Sequence, residues 1–159
     1  MEDCCCAAPG NSAESLACSG CATAGKPVDT LTVKALLTES ALARFEPDDY
    51  RFCADADCEI VYFAASGLTF STGDLRVGVW QKRPTGSRTL CYCFGENDAE
   101  IAAEIVRTSA SRAADRIRAH IKAGRCACEV RNPRGVCCLG DVNAAVERML
   151  QTSTSERSR

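Results

Sequence analysis

The sequence predicts an α+β protein in which a small β-rich module precedes a helical one. Short runs rich in aromatic and β-branched residues lie in the first half, at residues 50–52 and 60–63. In the second half, apolar residues such as Ile101 and Ile105 recur at helical spacing. The third observation is that the chain has 13 cysteines, most of them in close groups. Such groups in both halves indicate that each module is organised around metal ligation.

Composition excludes several classes of function. A chain of 159 residues with 46% apolar and 25% charged residues has the makeup of a folded domain or two small ones. Its net charge of −2 gives no basic face for nucleic acid or an anionic membrane. No apolar run approaches the roughly 20 residues that span a bilayer, and the acidic start lacks the features of a signal peptide. We therefore expect no nucleic-acid partner, no membrane span and a cytoplasmic location.

The cysteine count favours metal over disulfides. Without an export signal the expected compartment is reducing, and close cysteine pairs in a reducing compartment are typical of metal sites. An odd count also leaves at least one sulfur outside any complete set of pairs. Buried, unliganded thiols are the competing interpretation, since free cysteine is often buried.

The first cysteines lie in a segment with little apolar surface to bury. Residues 1–15 combine small, polar and turn-forming side chains, and we expect them to form a flexible tail. The adjacent thiols of Cys4, Cys5 and Cys6 would suit capture of a soft ion such as Cu(I) or Hg(II). An unstructured tail whose thiols have no fixed partner is an equally good interpretation.

Residues 16–85 are predicted to form a zinc-binding β-rich module. Cys18 and Cys21 have the C-x2-C spacing of a zinc knuckle, and Cys53 and Cys58 lie between two strand-like runs, at the tip of a predicted hairpin. Together they make a four-cysteine set suited to a structural zinc. Asp55 or Asp57 could replace one sulfur, although zinc prefers thiolates. Further strands are expected at 68–71 and 75–80.

Residues 86–150 are predicted to form a helical module. Periodicity and capping signals indicate helices over 97–108, 111–122 and 141–150, with Asn97 as an N-cap and Gly124 after the second helix. His120 falls on the second helix without a helical ligand partner, so we expect it to be surface or partly packed. The polar residues 151–159 are expected to be a disordered tail.

Six sulfurs flank the first two of these helices. Four thiolates from two chain-distant groups are what a [2Fe-2S] cluster requires, so the arrangement predicts such a cluster. Turn-forming residues 132–135 would bring the later cysteines together, and loop amides, Arg131 or Arg134 would hydrogen-bond the sulfurs. Six sulfurs exceed four positions, and the residue types alone leave the choice open among Cys91, Cys93, Cys126, Cys128, Cys137 and Cys138.

The order of these motifs resembles the N-terminal domain of two-domain CopZ copper chaperones, and the cysteine pattern of the later half resembles BFD-type [2Fe-2S] domains. The motifs that carry the resemblance are Phe52-Cys53-x4-Cys58, Asp74-Leu-Arg-Val77, Cys91-Tyr-Cys-Phe94 and Cys126-x-Cys128-x3-Asn132-Pro133-x-Gly135-x-Cys137-Cys138. The resemblance implies a zinc ion and a [2Fe-2S] cluster. It implies Cys91, Cys93, Cys128 and Cys138 as cluster ligands, with Cys126 and Cys137 as alternates.

The resemblance also implies a role in reducing Cu(II) to Cu(I). We therefore expect an electron-transfer protein or metal-ion reductase in copper or mercury handling, which serves a metallochaperone or a metal-transporting ATPase. The sequence lacks the Met-x-Cys-x2-Cys motif of the family's chaperone domain, so delivery would fall to a separate chaperone or to the Cys4–Cys6 tail. Two alternatives are a thiol-based metal-sequestering or sensing protein and an electron-transfer partner of the BFD type.

Overall fold

The computed structural model describes residues 15–83 and 87–159, which fall into two units. The first unit contains the described residues up to Arg83 together with Glu129–Val136, and the second contains 87–128 together with Cys137–Arg159. Cys4, Cys5 and Cys6 lie outside the described residues. Among the helices of the described residues, none is both long enough and apolar enough to cross a membrane.

An antiparallel sheet of four strands in the order β1-β2-β3-β4 forms the first unit. Most of its aromatic and β-branched residues are buried, and cross-strand pairs form between Phe52 and Tyr62 and between Tyr62 and Phe70. The predicted hairpin around Cys53 and Cys58 is thus confirmed by β2 and β3. The strands are β1 (Lys26–Val28), β2 (Tyr50–Phe52), β3 (Ile60–Ala64) and β4 (Thr69–Ser71).

Two short helices pack on this sheet: α1 (Thr30–Leu36) and α2 (Glu39–Leu42). The Asp29 carboxylate caps α1 by accepting from the Leu31 amide at 2.7 Å. The core between helices and sheet contains Val28, Val33, Leu37, Ala41, Tyr50, Phe52, Val61, Tyr62, Ala64, Phe70, Leu75 and Val79.

The strand predicted at 75–80 is wrong. Leu75 makes a single bridge to Leu37, and a 3₁₀ turn follows at Trp80–Lys82. Arg76 explains the difference, because its amide donates to the Leu36 carbonyl at 2.8 Å and its guanidinium Nε donates to the Leu37 carbonyl at 2.6 Å. These bonds tie the segment to the end of α1, where it still buries Leu75.

The second unit consists of a small hairpin and helices. The hairpin strands are β5 (Thr89–Cys91) and β6 (Glu96–Asn97), and the helices are α3 (Asp98–Thr108), α4 (Ala113–Lys122) and α6 (Leu139–Arg157). The short helix α5 (Cys128–Arg131) begins with a cysteine of this unit. Helix α6 packs against α3 and α4. Asn97 caps α3 as predicted, since its side-chain oxygen accepts from the Glu100 amide at 2.9 Å.

Helix α6 is longer than the sequence indicates. It starts at Leu139 and continues to Arg157, whereas the prediction was a helix over 141–150 and a disordered tail over 151–159. Thr152, Thr154 and Ser155 each donate a hydroxyl to the carbonyl four residues earlier, so these polar side chains bond along the helix. The absence of apolar periodicity therefore did not mean the absence of a helix.

An ionic network joins the hairpin of the second unit to its helices. Arg116 on α4 donates to Glu96 on β6 at 2.7 Å and to Glu104 on α3 at 3.1 Å. The hydrogen bond from Arg116 lowers the pKa of Glu104 to about 2. At the start of the hairpin, Arg88 pairs with the buried Asp98 at 2.8 Å. The hairpin carrying Cys91 is thus held by charged contacts as well as by its short strands.

Candidate metal centres

Four sulfurs of the first unit converge on one point. The Sγ atoms of Cys18, Cys21, Cys53 and Cys58 all lie within 4.8 Å of one another. Cys18 and Cys58 are 3.8 Å apart, and Cys21 and Cys53 are 3.6 Å apart. A tetrahedral zinc with Zn–S bonds of about 2.3 Å requires S–S distances of about 3.8 Å. The arrangement therefore fits the four-cysteine zinc site predicted from the sequence.

Two tight turns supply the four sulfurs. In the knuckle, the Ala22 amide donates to the Cys18 carbonyl at 2.8 Å, and Ala22 adopts a left-handed φ of +60°. A Cβ at Gly20 would lie 3.0 Å from Ile60 Cδ1 and 3.2 Å from Cys58 Sγ, so a side chain there would be crowded. The Cys53 amide donates to the Val61 carbonyl at 2.9 Å and so fixes the second pair at the end of the β2–β3 hairpin.

The predicted alternative of a carboxylate ligand is not supported by this geometry. The two Asp55 carboxylate oxygens accept from the Asp57 amide at 2.9 Å and from the Thr23 hydroxyl at 3.4 Å. Asp55 therefore links the hairpin loop to the knuckle, and the four converging ligand atoms are all sulfurs.

The electrostatics of the site differ between its sulfurs. Hydrogen bonding from Thr23 lowers the pKa of Cys21 to about 7. Burial raises the pKa of Cys53 to about 12, against the opposing charge of Lys82, and burial also raises the pKa of Cys58. Zinc would remove the protons from these buried thiols, because only the thiolate is a ligand.

Sequence reasoning missed Lys82 as a residue of this site. Its ammonium donates to the carbonyl of Asp55 at 2.6 Å, and its charge favours the thiolate of Cys53. A cation there offsets part of the negative charge of a zinc bound by four thiolates. Because Lys82 follows Cys53 by many residues, no local spacing pattern could have indicated it.

The second unit brings another set of sulfurs together. Cys93 and Cys128 are 3.7 Å apart at Sγ, which suits two thiolates on one tetrahedral metal. Cys138 contacts both Cys91 and Cys128: its thiol lowers the pKa of Cys91 and lowers that of Cys128 to about 6. The same contacts raise the pKa of Cys138. Cys91, Cys128 and Cys138 are at most 5% exposed.

These four sulfurs are connected by a series of pairwise contacts, and we call them the sulfur row. Cys93 contacts Cys128, Cys128 contacts Cys138, and Cys138 contacts Cys91. Within the part of the chain that the structure describes, the zinc set is the only group of three or more ligand atoms that all lie within 4.8 Å of one another. The sulfur row therefore differs from the zinc site in how its ligand atoms are grouped.

The hairpin and two helices position the second set. Gly95, with a φ of +74°, closes the turn after Cys93, and its amide donates to the Cys91 carbonyl at 2.8 Å. Phe94 stacks on His120 of α4 with ring centroids 4.2 Å apart, so the histidine is partly packed, as predicted. The Ala127 amide donates to Cys93 Sγ at 3.3 Å, which is one of the loop-amide bonds that the sequence led us to expect.

The two remaining thiols of this unit are those of Cys126 and Cys137. Both are partly exposed, and Cys137 hydrogen-bonds to Cys128. Cys138 contacts both Cys91 and Cys128, and the choice between Cys137 and Cys138 as a cluster ligand stays a prediction. The roles of Arg131 and Arg134 at the sulfurs stay predictions.

Comparison with known proteins gives two matches. Residues 15–76 match the family model of the CopZ zinc-binding domain. The X-ray structure of the Archaeoglobus fulgidus CopZ N-terminal domain matches with a TM-score of 0.67 and 28% identity, over 81% of this chain and 96% of that chain. A search of curated proteins finds no match.

Proposed function

Because this chain contains a CopZ-type zinc-binding domain and has the fold of a CopZ N-terminal domain, we propose that it is an iron–sulfur and zinc protein of copper handling. Its four-cysteine site binds a zinc ion that stabilises the fold. The sulfur row of the second unit would hold a [2Fe-2S] cluster through Cys91, Cys93, Cys128 and Cys138. When bound, such a cluster supplies one electron, which converts Cu(II) to the Cu(I) that a chaperone or transporter carries.

The zinc site has the character of a structural centre. All four positions of a tetrahedral zinc are filled by sulfur, and a closed site of this kind leaves no position for a substrate or an activated water. Its cysteines belong to a buried cluster with Phe63 at the end of the sheet. The zinc would thus stabilise the β2–β3 hairpin.

The row of sulfurs is the observation that supports the redox role. Three of its four sulfurs are buried, so the protein would shield a bound cluster from water. The Ala127 amide is aimed at Cys93 Sγ, and such bonds to a ligand sulfur raise the potential of a cluster. Cys93 is partly exposed and so gives an electron a short path to the surface.

Purification without oxygen tests the proposal. We expect two iron and two acid-labile sulfide per chain, visible absorption from sulfur-to-iron charge transfer, and an EPR signal after reduction with dithionite. The reduced protein should then convert one equivalent of Cu(II) to Cu(I), as detected with a Cu(I)-specific chelator. Protein that contains zinc but neither iron nor sulfide would refute the cluster and the redox role.

Single serine substitutions identify the ligands. Cys91→Ser, Cys93→Ser, Cys128→Ser and Cys138→Ser should each lose most of the iron, whereas Cys126→Ser and Cys137→Ser should retain it. Loss of iron in Cys126→Ser with retention in Cys128→Ser would exchange that pair of assignments. The triple change of Cys4, Cys5 and Cys6 to serine separates the alternative of metal sequestration. The triple variant should still reduce Cu(II). If instead the wild type binds more than one Cu(I) per chain and the triple variant does not, sequestration is favoured.

A further inference from the structure

Residues Glu129–Val136 belong to the first unit, although the cysteines at both ends belong to the second. We propose that the zinc-stabilised first unit holds this segment, which we call the ligand loop, and thereby fixes the positions of Cys128 and Cys138. Thr32 and Tyr62 are the positioning residues. The identity of the group that the sulfurs hold rests on the proposed function, whereas the anchoring of the loop does not.

Two buried hydroxyls anchor the ligand loop. Thr32 donates its hydroxyl to the Glu129 carbonyl at 2.6 Å, and Tyr62 donates its hydroxyl to the Pro133 carbonyl at 2.6 Å. Both donors are fully buried. Carbonyl groups of an irregular loop need partners when they lose water, and these two receive theirs from α1 and β3.

The loop is also rigid within itself. Asn132 is only 2% exposed; its side chain donates to the Val136 carbonyl at 2.7 Å and accepts from the Arg134 amide at 3.0 Å. The Gly135 amide donates to the Asn132 carbonyl at 2.7 Å, and Gly135 adopts a left-handed φ of +67°. These bonds close a compact turn, so holding Glu129 and Pro133 restrains the start of the loop and the turn within it.

The same strand connects the anchor to the zinc site. Tyr62 lies in the middle of β3, which begins two residues after the zinc ligand Cys58, and Cys53 bonds to Val61 of this strand. Zinc binding therefore orders the strand that carries the Tyr62 hydroxyl. The loop restrains the cysteines through the chain itself, because Cys128 immediately precedes the loop and Cys137 and Cys138 follow it. Zinc loading should accordingly precede formation of a competent sulfur row.

Hydrogen exchange in the full-length protein, loaded with zinc and free of iron, tests the anchoring. The probes are the amides of Arg134 and Gly135, which are bonded inside the loop. Loss of one hydrogen bond of ordinary strength should speed their exchange about fivefold in Tyr62→Phe and in Thr32→Val, and more in the double variant. Removal of zinc with a chelator should speed it further. Unchanged exchange in the double variant, or after zinc removal, would overturn the inference.

Tyr50→Phe is the matched control. It removes a hydroxyl-to-carbonyl bond of 2.7 Å, from Tyr50 to Glu46, in the same core but not to the loop. All variants should keep one zinc per chain. After reconstitution with iron and sulfide, Tyr62→Phe and Thr32→Val should lose the cluster several-fold faster than Tyr50→Phe. Equal loss rates in the three variants would count against a positioning role. A wild-type chain that takes up no iron would refute the proposed function and leave the exchange result to decide the anchoring.

Discussion

Gly135 gives the most exacting test of how the ligand loop is packed. A Cβ at this position would lie 2.6 Å from Thr32 Oγ1 and 3.3 Å from Thr32 Cγ2, at a φ of +67°. The left-handed conformation costs an alanine about 1 kcal/mol, and the steric overlap costs about 1–3 kcal/mol more. Gly135→Ala should therefore lower the free energy of unfolding of the zinc-loaded first unit by about 2–4 kcal/mol.

The overlap can be separated from the strain by a double-mutant cycle. Thr32→Ala removes both close atoms but loses the bond to the Glu129 carbonyl, at a cost of about 1–2 kcal/mol. The double variant then keeps the strain and the lost bond without the overlap, so it should be more stable than the sum of the single changes predicts, by at least about 1 kcal/mol. Urea unfolding followed by circular dichroism at saturating zinc measures all four proteins.

Gly67→Ala controls for strain alone. Gly67 also has a left-handed φ, of +92°, but a Cβ there would meet nothing within 4 Å. It should cost about 1 kcal/mol whether or not Thr32 is present. If Gly135→Ala and Thr32→Ala prove additive to within about 0.5 kcal/mol, the close approach of the loop to Thr32 does not exist in solution.

Three further predictions concern charge and protons. Lys82→Met should weaken zinc binding about tenfold, measured by chelator competition, with the exposed Lys26→Met unchanged. Zinc binding near pH 7 should release at least the protons of Cys53 and Cys58, because burial raises the pKa values of both thiols, and the zinc affinity should therefore rise with pH. Calorimetry in buffers of different ionisation enthalpy counts the released protons. Release of fewer than two protons would contradict protonated thiols at these two positions. Glu104→Gln should lower the free energy of unfolding of the second unit at pH 7 by about 1 kcal/mol. The effect is small because Arg116 is 45% exposed, so water screens the ion pair. Because Arg116 lowers the pKa of Glu104 from 4.5 to about 2, that advantage of the wild type should be full above pH 4.5 and vanish as the pH falls to about 2, as thermal melts across this range would show.

The parts of the fold that could be predicted from sequence are those with a short-range signal. Close spacing identified Cys18 and Cys21 as one pair and Cys53 and Cys58 as another, because a metal knuckle is a local structure. The aromatic and β-branched residues at 60–63 likewise indicated β3. The segment 75–80 showed the alternation of a strand, but its backbone bonds are made with the end of α1, and a long-range partner leaves no local trace.

The contacts that hold the ligand loop are also long-range contacts. Thr32 and Glu129 are 97 residues apart in the chain, and Tyr62 and Pro133 are 71 apart. The sequence showed that Asn132-Pro-Arg-Gly135 would form a turn, and it could not show where the turn would be anchored. Cys137 and Cys138 are adjacent and look alike in sequence, so the residue types alone could not separate them, and the choice of Cys138 as a cluster ligand stays a prediction.

Spacing of the sulfurs, rather than their chemical type, distinguishes the two centres of this chain. In the first unit each sulfur has the other three within 4.8 Å, so one ion can satisfy all four thiolates. In the second unit the sulfurs of Cys93, Cys128, Cys138 and Cys91 are connected by pairwise contacts. A bridged pair of metal ions, as in the proposed [2Fe-2S] cluster, would be held by four sulfurs that need not all surround one ion. Substitution of zinc for iron in the growth medium should therefore fill the first site and leave the second with weak, substoichiometric zinc, a result that elemental analysis of Cys58→Ser and Cys128→Ser can assign site by site.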